Sequence, residues 1–152
     1  MFKHADQALR FAFRMRQKDL ISKPSLTPSQ KEKNPAERLS AHDFHAQAGM
    51  LFSFLERRPV HEQCYAFLMY GDDRERELSA GVFASDLSLP KHVKDRRQMK
   101  AALLSKTVRG CAKELGISTY KAWRTKQALH GMLEPIAMRL FVAVEDWFGI
   151  TQ

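Results

Sequence analysis

The stretch Thr107–His130, TVRGCAKELGISTYKAWRTKQALH, constrains the fold more than any other part of the chain. Apolar Cys111, Leu115 and Ile117 surround Ala112 and Gly116, two small residues four positions apart. Two helices that cross steeply need a small side chain where they touch, and the turn between them needs a residue that tolerates positive φ. The spacing predicts a short helix ended by Gly116, a corner plugged by Ile117, and a second helix with Ser118 as its N-cap. The exposed positions of that helix are expected to be Thr119, Tyr120, Lys121, Trp123, Arg124 and Gln127, the composition of a recognition helix entering a DNA major groove. An ordinary helical hairpin with a glycine stop shares this pattern, so spacing alone does not choose between them.

Charge does favour one of them. From Lys91 to Ala128 there are eleven Lys or Arg and only two acids, Asp95 and Glu114, in a chain whose net charge is +8. Each phosphate neutralised by such cations releases a counterion, so a basic excess centred on a helix-turn-helix is what duplex binding requires. Lys91 to Ser105 reads as a helix with Val93, Met99, Ala102 and Leu103 on its apolar side. Lys94, Arg96, Arg97 and Lys100 would then hold the phosphate backbone, with Lys106 and Arg109 extending the basic surface. Phosphate contacts position a protein but carry no sequence information directly. Base readout is expected from Arg124 towards guanine and Gln127 towards adenine. Trp123 lies off the apolar stripe of Ala122, Leu129 and Met132, and is expected either to pack on the acidic half of the chain or to lie against the sugar-phosphate edge.

The remaining sequence supplies a helical body. Phe2 to Lys18 reads as an amphipathic helix with Phe2, Ala5, Leu9, Ala12 and Phe13 near one side, and serves either as a packed helix or as a basic arm spanning 1–19. Pro24, Pro28 and Pro35 predict an extended linker over 20–39. Ser40 is expected to open an all-helical domain over 40–152, where Phe44, Ala48, Leu51, Phe52 and Leu55 recur at helical spacing. A helix with Val60, Cys64, Phe67 and Leu68 follows, ended by Gly71, and Asp72 with Asp73 caps another through Leu78, Val82 and Phe83. Between Ala41 and Pro90 acids outnumber bases eight to four, so this part would avoid DNA and suit a protein partner. Gly131 and Pro135 predict a bend or break in the recognition helix. Beyond it, Ile136, Leu140, Phe141, Val144, Trp147 and Phe148 make an apolar C-terminal helix that seals the core against Phe44–Leu55 or forms a dimer seam. The fold class expected is all-α: a compact multi-helix domain containing a helix-turn-helix, preceded by a helical arm and a Pro-rich linker.

Several function classes fall away. A hydrophobic fraction of 44% supports a core, while no apolar run approaches a membrane span and no signal-peptide pattern occurs, which predicts a cytoplasmic protein with no membrane contact. Cys64 and Cys111 fall on apolar helical faces and read as small buried hydrophobes. No Cys-x-x-Cys or convincing His spacing suggests a metal, and no cofactor is expected. Asp72 and Asp73 sit in a capping context, Glu145 and Asp146 read as a solvated helix side, and the six histidines lack a nucleophile partner, so the residues point away from an enzyme.

Three ordered stretches, QAGMLFSFLERRPVHEQCYAFLMYGDD, CAKELGISTYKAWRTKQAL and AMRLFVAVEDWFGI, resemble the Q-type antiterminators of lambdoid phages and the related prophage-encoded AlpA-type antiterminators. The helix-turn-helix block is common to many regulators; the ordered set is more specific, and it runs from about Phe44 to Gln152. The resemblance implies a protein that binds a DNA element beside a promoter, transfers to RNA polymerase paused just downstream with its sigma factor, and travels with the core enzyme. It also implies that the bound protein narrows the RNA exit channel, hinders hairpin formation and promotes read-through of terminators; nascent RNA is then a second polyanion near the basic surface. Some members carry a zinc-binding cysteine cluster, for which this chain lacks the residues, so no metal-dependent step carries over. Two other readings stand beside this one: a prophage repressor or activator acting only at DNA, and a protein-only inhibitor that binds RNA polymerase or a sigma factor.

Overall fold

The computed structural model describes residues 4–21 and 35–149, with side chains at 4–17 and 45–149. The described secondary structure is entirely helical: α1 (Ala5–Ile21), α2 (Pro35–Glu56), α3 (Val60–Tyr70), α4 (Asp73–Asp86), α5 (Arg96–Leu104), α6 (Val108–Leu115) and α7 (Thr119–Phe148). The all-α expectation therefore holds. α2 begins at Pro35, inside the segment expected to be linker, and the boundary expected at Ser40 lies within this helix. Proline suits a first helical position because its missing N–H would have no intrahelical partner there. The rest of the expected linker, residues 22–34, lies outside the described residues, as do Phe2 and the side chain of Phe44.

The chain divides into two compact units, and the division falls at Arg58–Pro59. In the first, α1 and α2 pack together with the end of α7 from Val144. Ala5, Ala8, Leu9, Ala12 and Phe13 of α1 are buried, as are Ala48, Leu51 and Leu55 of α2. Phe13 meets Phe52 edge-on at 5.0 Å, and the Arg16 guanidinium lies 4.9 Å from each of these ring centroids. Of the two roles open to the N-terminal helix, it takes the packed one. Phe54 stacks on Trp147 at 4.9 Å, so the expected seal between α2 and the C-terminal helix is made by aromatic rings. Glu145 is half-buried rather than simply solvated: its Oε1 accepts from the backbone N–H of Ala5 at 3.5 Å, placing a carboxylate where the α1 dipole is positive.

The second unit, Pro59–Ala143, holds two cores. Cys64 and Leu68 of α3, Ala80 and Phe83 of α4, and Leu133 and Ile136 of α7 form one. Tyr65 meets Phe141 edge-on at 6.0 Å, so this part of α7 packs on α3 and α4. Asp72 caps α4 in a full capping box: its Oδ1 accepts from Glu75 N–H at 2.8 Å, and Glu75 Oε1 accepts from Asp72 N–H at 3.1 Å. The buried face of α4 is Ser79, Ala80, Phe83 and Ala84, while Leu78, expected inside, is 64% exposed. Gly71 ends α3 as expected, but with φ −75° and not in the left-handed region. A Cβ there would lie 2.5 Å from the Phe67 carbonyl oxygen and 2.9 Å from Glu75 Cβ, so close approach fixes this glycine.

The second core joins Met99 and Ala102 of α5, Cys111 and Leu115 of α6, Ala122 and Leu129 of α7, with Ala84 and Val93. α7 is not broken at Gly131 and Pro135 but runs on through both residues. Pro135 removes only the hydrogen bond to the Gly131 carbonyl, and both residues are exposed. Buried Leu129, Leu133, Ile136, Ala137 and Leu140 flank the gap and hold the helix by packing. Among the described residues no helix is long and apolar enough to cross a membrane.

Candidate nucleic-acid interface

Local chemistry sets the geometry of α6 and α7. Thr107 caps α6, its Oγ1 accepting from Gly110 N–H at 3.0 Å. Gly116 then takes φ 65° and ψ 36°, and Ile117 N–H donates to the Ala112 carbonyl at 3.1 Å, closing the helix in Schellman fashion. Ile117 packs into the core of the turn, and Ala112 sits partly buried beside it. Ser118 starts α7, its Oγ accepting from Lys121 N–H at 3.3 Å. A short helix, a left-handed glycine and a second helix thus follow one another here.

The first two turns of α7 separate cleanly into faces. Ala122, Thr125 and Leu129 are buried, with the Thr125 hydroxyl returned to the Lys121 carbonyl at 2.9 Å. Ser118, Thr119, Tyr120, Lys121, Trp123, Arg124 and Gln127 are exposed, as the sequence pattern requires. Tyr120 and Trp123 stack on each other one turn apart, with centroids 6.3 Å apart and planes at 29°. Trp123 is half-exposed, at 46%.

The basic residues before α7 divide more sharply than expected. α5 is shorter than the predicted Lys91–Ser105 helix because Asp95 caps it, its Oδ1 accepting from Gln98 N–H at 2.8 Å, while Gln98 Oε1 accepts from Lys94 N–H at 3.0 Å. The Asp95-x-x-Gln98 spacing is the signal that marks this start. Lys91 and Lys94 therefore belong to the preceding turn, pinned by buried Val93, whose N–H donates to the Pro90 carbonyl at 3.0 Å. Arg96 and Arg97 are exposed in the first turn of α5, directly after the Asp95 cap. Lys106 and Arg109 are also exposed, between α5 and α6 and on α6. Lys100 is half-buried, and its ammonium lies 3.2 Å from the Glu77 carboxylate of α4.

The turn before α5 and the side of α7 enclose a groove of about 430 Å³. Lys91 and His92 line one wall, and Trp123, Arg124 and Gln127 the other. Sequence reasoning missed Lys91 and His92 as site residues because it placed Lys91 on a helix; the Asp95 cap would have put both in a turn. No family model, curated protein or solved structure matches the chain.

Proposed function

We propose that the second unit binds double-stranded DNA with the N-terminal half of α7 as its recognition helix, and that the chain is a transcription antitermination factor. One observation carries the DNA reading: the polar and basic positions 118–121, 124 and 127 all face outward from a helix whose opposite side is anchored by Ala122, Thr125 and Leu129. Arg124 reads guanine and Gln127 reads adenine. Lys94, Arg96, Arg97, Lys106 and Arg109 set the register on phosphates. The step from DNA to polymerase draws on the resemblance to the Q-type antiterminators and on the acidic bias of Ala41–Pro90, which suits a protein surface better than DNA. On this reading the protein binds a promoter-proximal element, loads onto paused RNA polymerase and its sigma factor, narrows the RNA exit channel, and promotes read-through.

The test is terminator read-through in a purified transcription system, on templates with and without the upstream element. Antitermination gives longer transcripts only when the element is present. A change confined to the initiation rate would instead identify a promoter-specific repressor or activator. Polymerase inhibition with no salt-sensitive DNA affinity would identify a protein-only inhibitor.

A further inference from the structure

We infer that the groove beside Trp123 receives an unstacked nucleotide of a single strand, so that this unit grips an unpaired strand as well as a duplex. The inference rests on the nucleic-acid reading above and adds a second substrate form to it. A recognition helix meets base edges with side chains that project outward into the major groove. A recess of about 430 Å³ beside that helix leaves room for a base that has left its stack, which a paired base does not do. It is in the size range of small-molecule sites, which combine an apolar wall with a few convergent polar groups.

The lining fits a nucleotide part by part. Trp123, half-exposed, lines the groove, and an aromatic side chain accepts any base by stacking. Gln127 carries both a donor and an acceptor for a base edge. Lys91 and Arg124 supply cations for the phosphate, and among the described lining residues none is acidic. Tyr120, 66% exposed and stacked one turn before Trp123, provides a second platform for the neighbouring base. Two stacked aromatics bordered by Lys121 and Arg124 form the alternation of rings and cations that single-strand binders use.

Oligothymidine and oligouridine are the probes, because neither forms a stable duplex with itself. In Trp147→Phe, which leaves Trp123 as the remaining tryptophan of the chain, either oligonucleotide is expected to quench the indole fluorescence saturably. In the native chain with labelled oligonucleotides, Trp123→Ala is expected to weaken binding by about 5- to 150-fold, the equivalent of one lost base stack, and Trp123→Phe to restore most of it. Stronger binding of oligothymidine identifies a DNA strand as the ligand, and stronger binding of oligouridine an RNA strand. Duplex binding without quenching by either oligonucleotide overturns the groove assignment and leaves the recognition helix standing. Failure to bind duplex and single strand alike removes both. An unchanged oligonucleotide affinity in Trp123→Ala also overturns the assignment.

Discussion

The Lys126 ammonium donates to the backbone carbonyl of Ser105, the residue that caps the C-terminal end of α5. Arg76 of α4 joins it there, with Nη2 donating to the Leu104 carbonyl at 3.3 Å and Nε to the Leu68 carbonyl at 3.0 Å. Two cations thus satisfy carbonyls that a helix end leaves orphaned, at the pole where its dipole favours positive charge. Lys126 belongs to the basic run of the sequence yet is turned inward, and that run is therefore partly structural.

Burial is the main cause that lowers the Lys126 pKa from 10.5; Cys111 opposes the shift and Arg76 adds to it. The native amine accordingly loses its proton before the unfolded one does. As pH rises through the native value towards 10.5, the unfolded chain binds more protons than the native one, and this group's contribution to stability rises. Lys126→Arg stays charged throughout. The stability gap between the wild type and Lys126→Arg, measured by urea unfolding, is expected to widen in favour of the wild type across this interval. A gap independent of pH would show that the ammonium is not desolvated.

Two glycines hold their places for different reasons, and asparagine separates them. Gly116 needs φ 65° and has open space around its Cβ direction, so Gly116→Ala is expected to cost about 1–2 kcal/mol. Gly116→Asn should recover part of that, because asparagine tolerates the left-handed region. Gly71 has ordinary dihedrals, but a Cβ would strike the Phe67 carbonyl and Glu75, so Gly71→Asn should be no better than Gly71→Ala. Thermal unfolding of the four variants gives the comparison.

The sequence is most legible where one residue's chemistry decides the backbone. Thr107, Gly116, Ser118 and Asp72 all cap or turn the chain as their types require. It is least legible where packing overrules local preference. Pro135 does not break α7 because buried leucines on either side of it outweigh one lost hydrogen bond. Leu78 faces solvent because the inward face of α4 runs through Ser79, Ala80, Phe83 and Ala84 and leaves position 78 outside it. Lys100 lies beside Glu77 and Lys126 beside the Ser105 carbonyl, three-dimensional neighbours that no local pattern in the sequence shows. The groove at Trp123 joins residues about thirty positions apart, a distance over which no local pattern operates.

Both cysteines serve as reporters of the second unit. Cys64 is 9% exposed and Cys111 fully buried, and neither is in a disulfide. Burial raises the Cys64 pKa from 9.0, with the Ser79 hydrogen bond opposing and Asp86 adding to the rise. The thiolate is the reactive form, so native Cys64 is doubly protected from alkylation. Its raised native pKa also contributes stability that is present below pH 9.0 and lost as pH rises through the native value. Iodoacetamide labelling is expected to follow global unfolding in urea for both thiols. Rapid labelling of either one in the absence of denaturant would contradict the core described for this unit.

Arg124, Lys94 and Lys100 give a three-way test of the DNA surface. Arg124→Ala should cost about 1–3 kcal/mol and relax preference at one base pair. Lys94→Ala, in the exposed turn before α5, should weaken all sequences alike and reduce the salt slope by about one unit. Lys100→Ala should change the slope less than Lys94→Ala, because Glu77 already holds its ammonium. Filter binding or anisotropy across a salt series measures all three. Unaltered sequence preference in Arg124→Ala would remove that residue from base readout, and equal slope changes at Lys94 and Lys100 would mean that the Glu77 pair opens on DNA.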